Sequence, residues 1–217
     1  MSRRRALMAA QETEKGLPDE YQEVTYIASS NRNCLIQTSY YPQLNDSLEF
    51  KASTAGASTT TYVIFATGVS TDNCCSLSLY GTAMSCYFNW FSQGGNNRIG
   101  GSSGTIPRDK IFLAQYGNGK ATISQLDDPT NTFSSTYPTY KGSPANPIAL
   151  MGSPASTGIG MKGRMYTFTA TRGGKTVFKA VPCYRKADTV IGMFDTVSQT
   201  FLTNTGTGTL TKGADVT

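Results

Sequence analysis

"GRMYTFTATRGGKTVFKAVPCYR", Gly163 to Arg185, decides the fold. Two alternating runs of matching length flank a Gly-Gly pair. Alternation sends successive side chains to opposite faces of a strand, and Gly173 and Gly174 supply the positive φ angles of a two-residue turn. The stretch predicts a long antiparallel hairpin. The same pattern repeats outward from it. "SLEFKAS" sets Leu48, Phe50 and Ala52 against Ser47, Glu49 and Lys51, a strand with one wet side. "TYVIFAT" reads as a fully buried strand. In "CSLSLYG" and "AMSCYFNWF", Cys75, Leu77 and Leu79, then Met84, Cys86, Phe88 and Trp90, share one side, with Gly81-Thr82 as the turn between them. "KIFLAQY" and "ATISQL" join through "GNGK", a further hairpin. Ile191, Met193, Phe194, Phe201 and Leu202 flank a turn at Val197-Ser198, and Thr205 to Thr211 reads as a Thr-rich edge or exit strand. Asp127 to Pro147 has no clear period and reads as a long surface loop.

About ten to twelve strands without helical spacing predict an all-β, antiparallel two-sheet sandwich. A chain of 217 residues fits one such domain, placed at 21–217. The opening "MSRRRALMAAQETEKG" differs. Ser2 suits a helix cap, Ala6 to Gln11 are mostly helix formers, and Gly16 and Pro18 stop the helix, which predicts a short N-terminal helix or arm over 1–20. Arg3, Arg4 and Arg5, with Leu7 and Met8 beside them, are the candidate anchor onto an acidic partner surface; a solvated tail is the plainer reading of three arginines.

The chain has no histidine, which removes the commonest general acid/base, the usual metal ligand and the usual partner of a serine or cysteine nucleophile. The five cysteines are odd in number and lack CxxC spacing, so Cys75 and Cys86, in apolar alternating runs, read as small buried hydrophobes in a reduced setting. No stretch approaches the ~20 apolar residues of a membrane span, and the N-terminus lacks a signal-peptide core, so a soluble protein made in a cytoplasm is expected.

"LPDEYQEVTYIASSNRNCLIQT", Leu17 to Thr38, resembles the "LPxGYxxxxYIxSxxxQYIxT" start of concanavalin-like, laminin-G-like modules in structural proteins of tailed phages and prophages of gut bacteria, crAss-like phages among the candidates. "VPCYRKADTVIGMFDTVSQTFLTNTGTGTLTKG", Val181 to Gly213, resembles the end of the same modules: a "VPC" strand, a Gly-aromatic-Asp hairpin, then "TNxGTGxxxxG". The resemblance implies a jelly roll and a phage virion. Cys34-Leu35 stands where the modules carry Gln-Tyr, and Asp127-Asp128-Pro129 replaces their Asp-Gly turn after Leu126.

Chemistry is sparse. A glycosidase needs two facing carboxylates, whereas the strands offer Glu49 alone and the adjacent Asp127-Asp128 sits in a loop. "STDN" (Ser70 to Asn73) and "LDDPTN" (Leu126 to Asn131) read as turn formers rather than calcium loops, so neither a metal nor a cofactor is expected. Sugar binding is better served by "YFNWFSQGGNNRIGG". Trp90 alternates with Phe88 and reads as core; Phe91 falls out of that alternation and reads as an exposed ring among Asn89, Gln93, Asn96, Asn97 and Arg98. The net charge of +5 falls to +2 without the three arginines, 16 basic against 14 acidic residues, so the body lacks the basic cluster that nucleic acid requires.

These readings predict a non-enzymatic virion structural protein, made in the host bacterial cytoplasm and held by its arm to other virion proteins. Between capsid and tail the short chain without fibre shaft or heptads favours a head fibre or capsid-decorating protein. Analogy with phage fibres implies a homotrimer, and glycans, touched through loops opposite the arm, are the candidate ligands. A tail-fibre or lectin-like receptor-binding module is the alternative, and a glycoside hydrolase a remote one.

Overall fold

The computed structural model describes residues 16–55, 62–68, 72–80, 85–93, 98–99, 107–136, 146–154 and 158–217; at 72–74, 80, 85–87, 89–93 and 98–99 it describes the backbone alone. Within these residues the protein is all-β, with two antiparallel sheets. The expected N-terminal helix and the Gly81-Thr82 turn lie outside the described residues.

The larger sheet contains β1 (Tyr21–Glu23), β2 (Ile27–Ser29), β4 (Asp46–Thr54), β9 (Phe112–Gly117), β10 (Lys120–Gln125), β11 (Asp128–Thr136), β13 (Gly163–Arg172), β14 (Lys175–Arg185), β15 (Ile191–Asp195), β16 (Thr200–Thr203) and β17 (Leu210–Lys212). The smaller contains β3 (Ile36–Gln37), β5 (Tyr62–Ala66), β6 (Asp72–Tyr80), β7 (Ser85–Gln93), β8 (Arg98–Ile99) and β12 (Ala149–Leu150). The main path of the large sheet runs β11-β10-β9-β4-β13-β14-β15-β16, and the small one runs β3-β12-β5-β6-β7-β8.

The predicted hairpin forms between β13 and β14, with Gly173 and Gly174 at φ of 57° and 80°. Asn118 and Gly119, at φ of 52° and 73°, close β9 onto β10 in the same way. Alternation decides what is buried. Leu48, Phe50 and Ala52 of β4 enter the core while Glu49 and Lys51 stay exposed. The sheets pack through rings: Phe50 stacks on Phe168 within the large sheet, and Phe65 of the small sheet meets each edge-on with centroids 5.5 Å away. Phe88 of β7 contacts Tyr116 of β9 across the same core at 4.9 Å. Cys34, Cys75 and Cys183 are free thiols, all buried.

A second apolar cluster lies on the outer side of the large sheet. Val181, Cys183 and Phe194 are buried there beneath Leu17, Tyr21 and Phe201. The Tyr21 ring lies 4.8 Å from that of Phe194, and Val181, Pro182 and Cys183 are all buried, so "VPC" is covered on both faces. Leu17 to Glu20 join this body: the Lys186 backbone N–H donates to the Glu20 carbonyl and its Nζ to the Asp19 carbonyl.

Two expectations are corrected. Asp127 to Pro147 is not one long loop, because Asp128–Thr136 forms β11 along β10. β11 is an edge strand whose residues are exposed or half-buried, so no hydrophobic period marked it. Of Thr205 to Thr211 only the end is strand, within β17, which pairs with β2. The preceding loop is held instead by Asn204, whose Oδ1 accepts the N–H groups of Leu35 and Gly206 and whose Nδ2 donates to the Gly208 carbonyl.

Candidate functional site

Four strands of the large sheet turn their wet sides to one hollow. On β4 the outward residues are Ser47 and Glu49; on β13 the run Thr167, Thr169, Thr171 alternates with the buried Phe168 and Ala170. The register sets Glu49 between Gln115 of β9 and Thr169 of β13, and sets Thr122 of β10 beyond Gln115. Cross-strand neighbours on one face lie about 4.5–5.5 Å apart at Cβ, so this row is a continuous polar strip. Gln115 Nε2 donates to Glu49 Oε2 at 2.9 Å.

The hollow opens where side-chain bulk is missing. Gly117 ends β9 opposite Lys120, and a Cβ on it would stand 2.9 Å from Ser47 Oγ. The resulting space measures about 470 Å³, within the range of small-ligand clefts. Leu48, Tyr116 and the carbon stems of the longer side chains give the hollow apolar surface as well, and the polar groups it offers a ligand are carboxylate, amide, hydroxyls and the Lys120 ammonium. Around it the same face carries Lys51 and Lys179, with Arg164 further along over the Tyr26 ring at 4.6 Å. Glu49 is the carboxylate at the centre of this otherwise cationic surface.

The other acids flagged in the sequence are engaged elsewhere. Asp127 lies past the far end of β10, where Lys110 Nζ at 2.6 Å and Gln125 Nε2 at 2.7 Å both donate to it; the bond from Lys110, then that from Gln125, holds its carboxyl below the usual range. Asp128 Oδ1 accepts from the Thr130 N–H and hydroxyl, a turn-forming use. Neither stands across from Glu49. Among the described residues no group of three or more His, Cys, Asp or Glu is placed to hold a metal ion.

Of the residues predicted to bind glycans, Asn89, Phe91, Gln93 and Arg98 fall on the smaller sheet. Asn89 pairs with Ser76, Gln93 with Asp72, and Arg98 of β8 with Tyr87. Gln93 and Arg98 are thus strand residues rather than parts of one loop. The ladder shifts register between Cys74 and Cys75, opposite Ser92 and Trp90, which leaves Phe91 as the extra residue of a bulge. Asn96, Asn97 and the arm residues Arg3, Arg4, Arg5, Leu7 and Met8 lie outside the described residues. Of the hollow, sequence reasoning flagged only Glu49, as a solitary outward acid. Ser47, Gln115, Lys120 and the threonines carried no signal beyond their place on wet faces.

The described residues thus define an antiparallel two-sheet β-sandwich with a polar hollow on its larger sheet. No protein-family model matches the chain, and no curated protein matches its sequence. A candidate carbohydrate-binding protein from Bacteroides ovatus ATCC 8483 shares the fold, with a TM-score of 0.55 and 11% identity over 90% of this chain and 62% of that one. Lower scores relate it to the enzymatically active domain of bacteriophage CBA120 tailspike protein 2 (0.49, 8% identity, 75% of this chain and 30% of that one). Full-length tailspike protein 2 from Escherichia coli O157:H7 bacteriophage CAB120 follows (0.46, 10% identity, 74% and 27%). The chain spans less than two thirds of each of these three structures. At such identities the likeness is one of fold.

Proposed function

We propose that this chain is a non-enzymatic adhesion module of a tailed-phage virion. In this reading it is a concanavalin- or laminin-G-like jelly roll, held to other virion proteins by the part of its N-terminal arm that precedes Leu17, as a head fibre or capsid-decorating protein assembled as a homotrimer and touching glycans with its exposed loops and sheet faces. The observation that carries it is the meeting of the two segments that resemble phage modules. Leu17–Thr38 and Val181–Gly213, far apart in sequence, pair as β1 with β14 and β2 with β17, and Asn204 bonds Leu35. Residues that build one closed structure from both ends of the domain are those a module family must keep together. The shared fold with a candidate carbohydrate-binding protein supports glycans as the ligand class.

Removal of residues 1–15 tests the anchoring. The truncated chain keeps Leu17 to Glu20 and their bonds to the body, and residues 1–15 hold no aromatic ring, so its near-ultraviolet circular dichroism should match that of the full chain while incorporation into phage particles is lost. Normal incorporation of the truncated chain would overturn the reading.

A further inference from the structure

We propose that the hollow over Glu49 and Gln115 is a saccharide site that grips a sugar unit by two vicinal hydroxyls. This rests on the glycan-adhesion reading and adds the surface and the chemistry. The bond from Gln115 Nε2 to Glu49 Oε2 at 2.9 Å orients the carboxylate before any ligand arrives. That leaves Glu49 Oε1 and Gln115 Oε1 as acceptors on adjacent strands, and two adjacent acceptors match two hydroxyl donors on neighbouring carbons of a pyranose. Bonds to an ionised acceptor are about twice as strong as neutral ones, and an oriented pair loses little freedom on binding. Thr169, on the other side of Glu49, and Ser47, beside the floor glycine, add hydroxyls that can donate or accept, and Lys120 donates at the end.

Competing ligand classes fit less well. A phosphate or nucleic-acid backbone would meet the Glu49 carboxylate, and an apolar peptide side chain would cover the carboxylate, amide and hydroxyls of Glu49, Gln115, Ser47 and Thr169 without bonding them. No exposed ring lines the hollow among the described residues, so sugar stacking does not contribute and a single site binds weakly. Many copies on one particle would convert weak sites into firm adhesion by raising effective concentration.

The test uses the full chain, displayed at high density, on a panel of hexose, deoxyhexose and uronate oligosaccharides, followed by titration of whichever binds. The expected ligand has free vicinal hydroxyls and loses binding when one of them is O-methylated. Glu49→Gln, on an exposed position, should weaken it about tenfold or more. Gly117→Val, which fills the floor, should abolish it, while Phe91→Ala and Arg98→Ala should bind as wild type. A glycan bound equally by wild type, Glu49→Gln and Gly117→Val would overturn this site and leave glycan adhesion standing elsewhere. A wild-type chain that binds nothing on the panel would overturn glycan adhesion together with the site.

Discussion

Among the described residues, Asp46 has a fully buried carboxylate bonded from three sides. Arg172 Nε and Nη2 donate to its two oxygens at 2.6 and 2.8 Å, and the Tyr40 hydroxyl and the Gln43 N–H donate to Oδ2. Burial and then the bond to Asp46 push the Tyr40 hydroxyl far up, and the same carboxylate raises Arg172. The pair ties the start of β4 to the end of β13, beside the hollow's Ser47 and Thr171. Arg172→Leu strands a buried carboxylate with two remaining donors, and should cost about 3 kcal/mol. For a domain of this size that lowers Tm by roughly 6–12 °C, which calorimetry would read. Cys183 makes a pH prediction. Burial, and then the Glu23 carboxylate, push its thiol from the ordinary 9.0 to about 12. Its folded value exceeds the unfolded one, so its stabilising contribution is complete below pH 9.0 and is lost as pH rises through about 12. The urea midpoint of the wild type should therefore fall more steeply between those limits than that of Cys183→Ala. The native thiol should also resist alkylation at pH 8 and react once unfolded.

At the scale of elements, the Gly/Thr tract is a lock. Gly206 sits where an added Cβ would stand 2.0 Å from the Asn33 carbonyl, and one on Gly208 would stand 2.7 Å from Cys34 Sγ. The tract is poor in reactive groups because contact with the Asn31–Leu35 backbone leaves room for little else. Gly206→Ala should cost about 2 kcal/mol or more and lower Tm by roughly 4–8 °C without changing the far-ultraviolet dichroism; an unchanged Tm would refute the close fit. Such a lock could be quoted from the sequence as a motif, but its partner could not, since nothing local joins Gly206 to Asn33. The same limit explains what else was legible. β4, β9, β13 and most of β14 announced themselves because one side of each is wet and the other enters the core, and the turns from β9 to β10 and from β13 to β14 carried glycine. β11 did not, because its own faces give no contrast. The hollow was hidden for a related reason: Ser47, Gln115, Lys120 and Thr169 are ordinary wet-face residues, and only the register β10-β9-β4-β13 makes them neighbours.

For the molecule as a whole, the described residues close from both ends. β2 lies between β13 and β17, so it has a partner on each side only while Leu210–Lys212 is in place. The same C-terminal segment buries Leu210, brings Asn204 to Leu35, and sends the Val216 N–H to the Glu23 carbonyl. A chain ending at Thr203 would keep β13, β14, β15 and β16 but would open β2 to solvent along one edge and uncover the core residues Ile27 and Ile36. Each strongly bonded or buried group lost costs about 1–5 kcal/mol, and several are lost together, against a total stability of about 5–15 kcal/mol for a typical domain. The expected outcome is a chain without a cooperative thermal transition and without near-ultraviolet dichroism, in contrast to the chain lacking residues 1–15. Because strands from both ends must meet before either is stable, refolding of the intact chain should also be slow, in milliseconds to seconds or longer. A cooperative transition in the chain ending at Thr203 would mean that β3 to β16 form a self-sufficient sandwich, and that the resemblance at the two ends reflects something other than the closing of the fold.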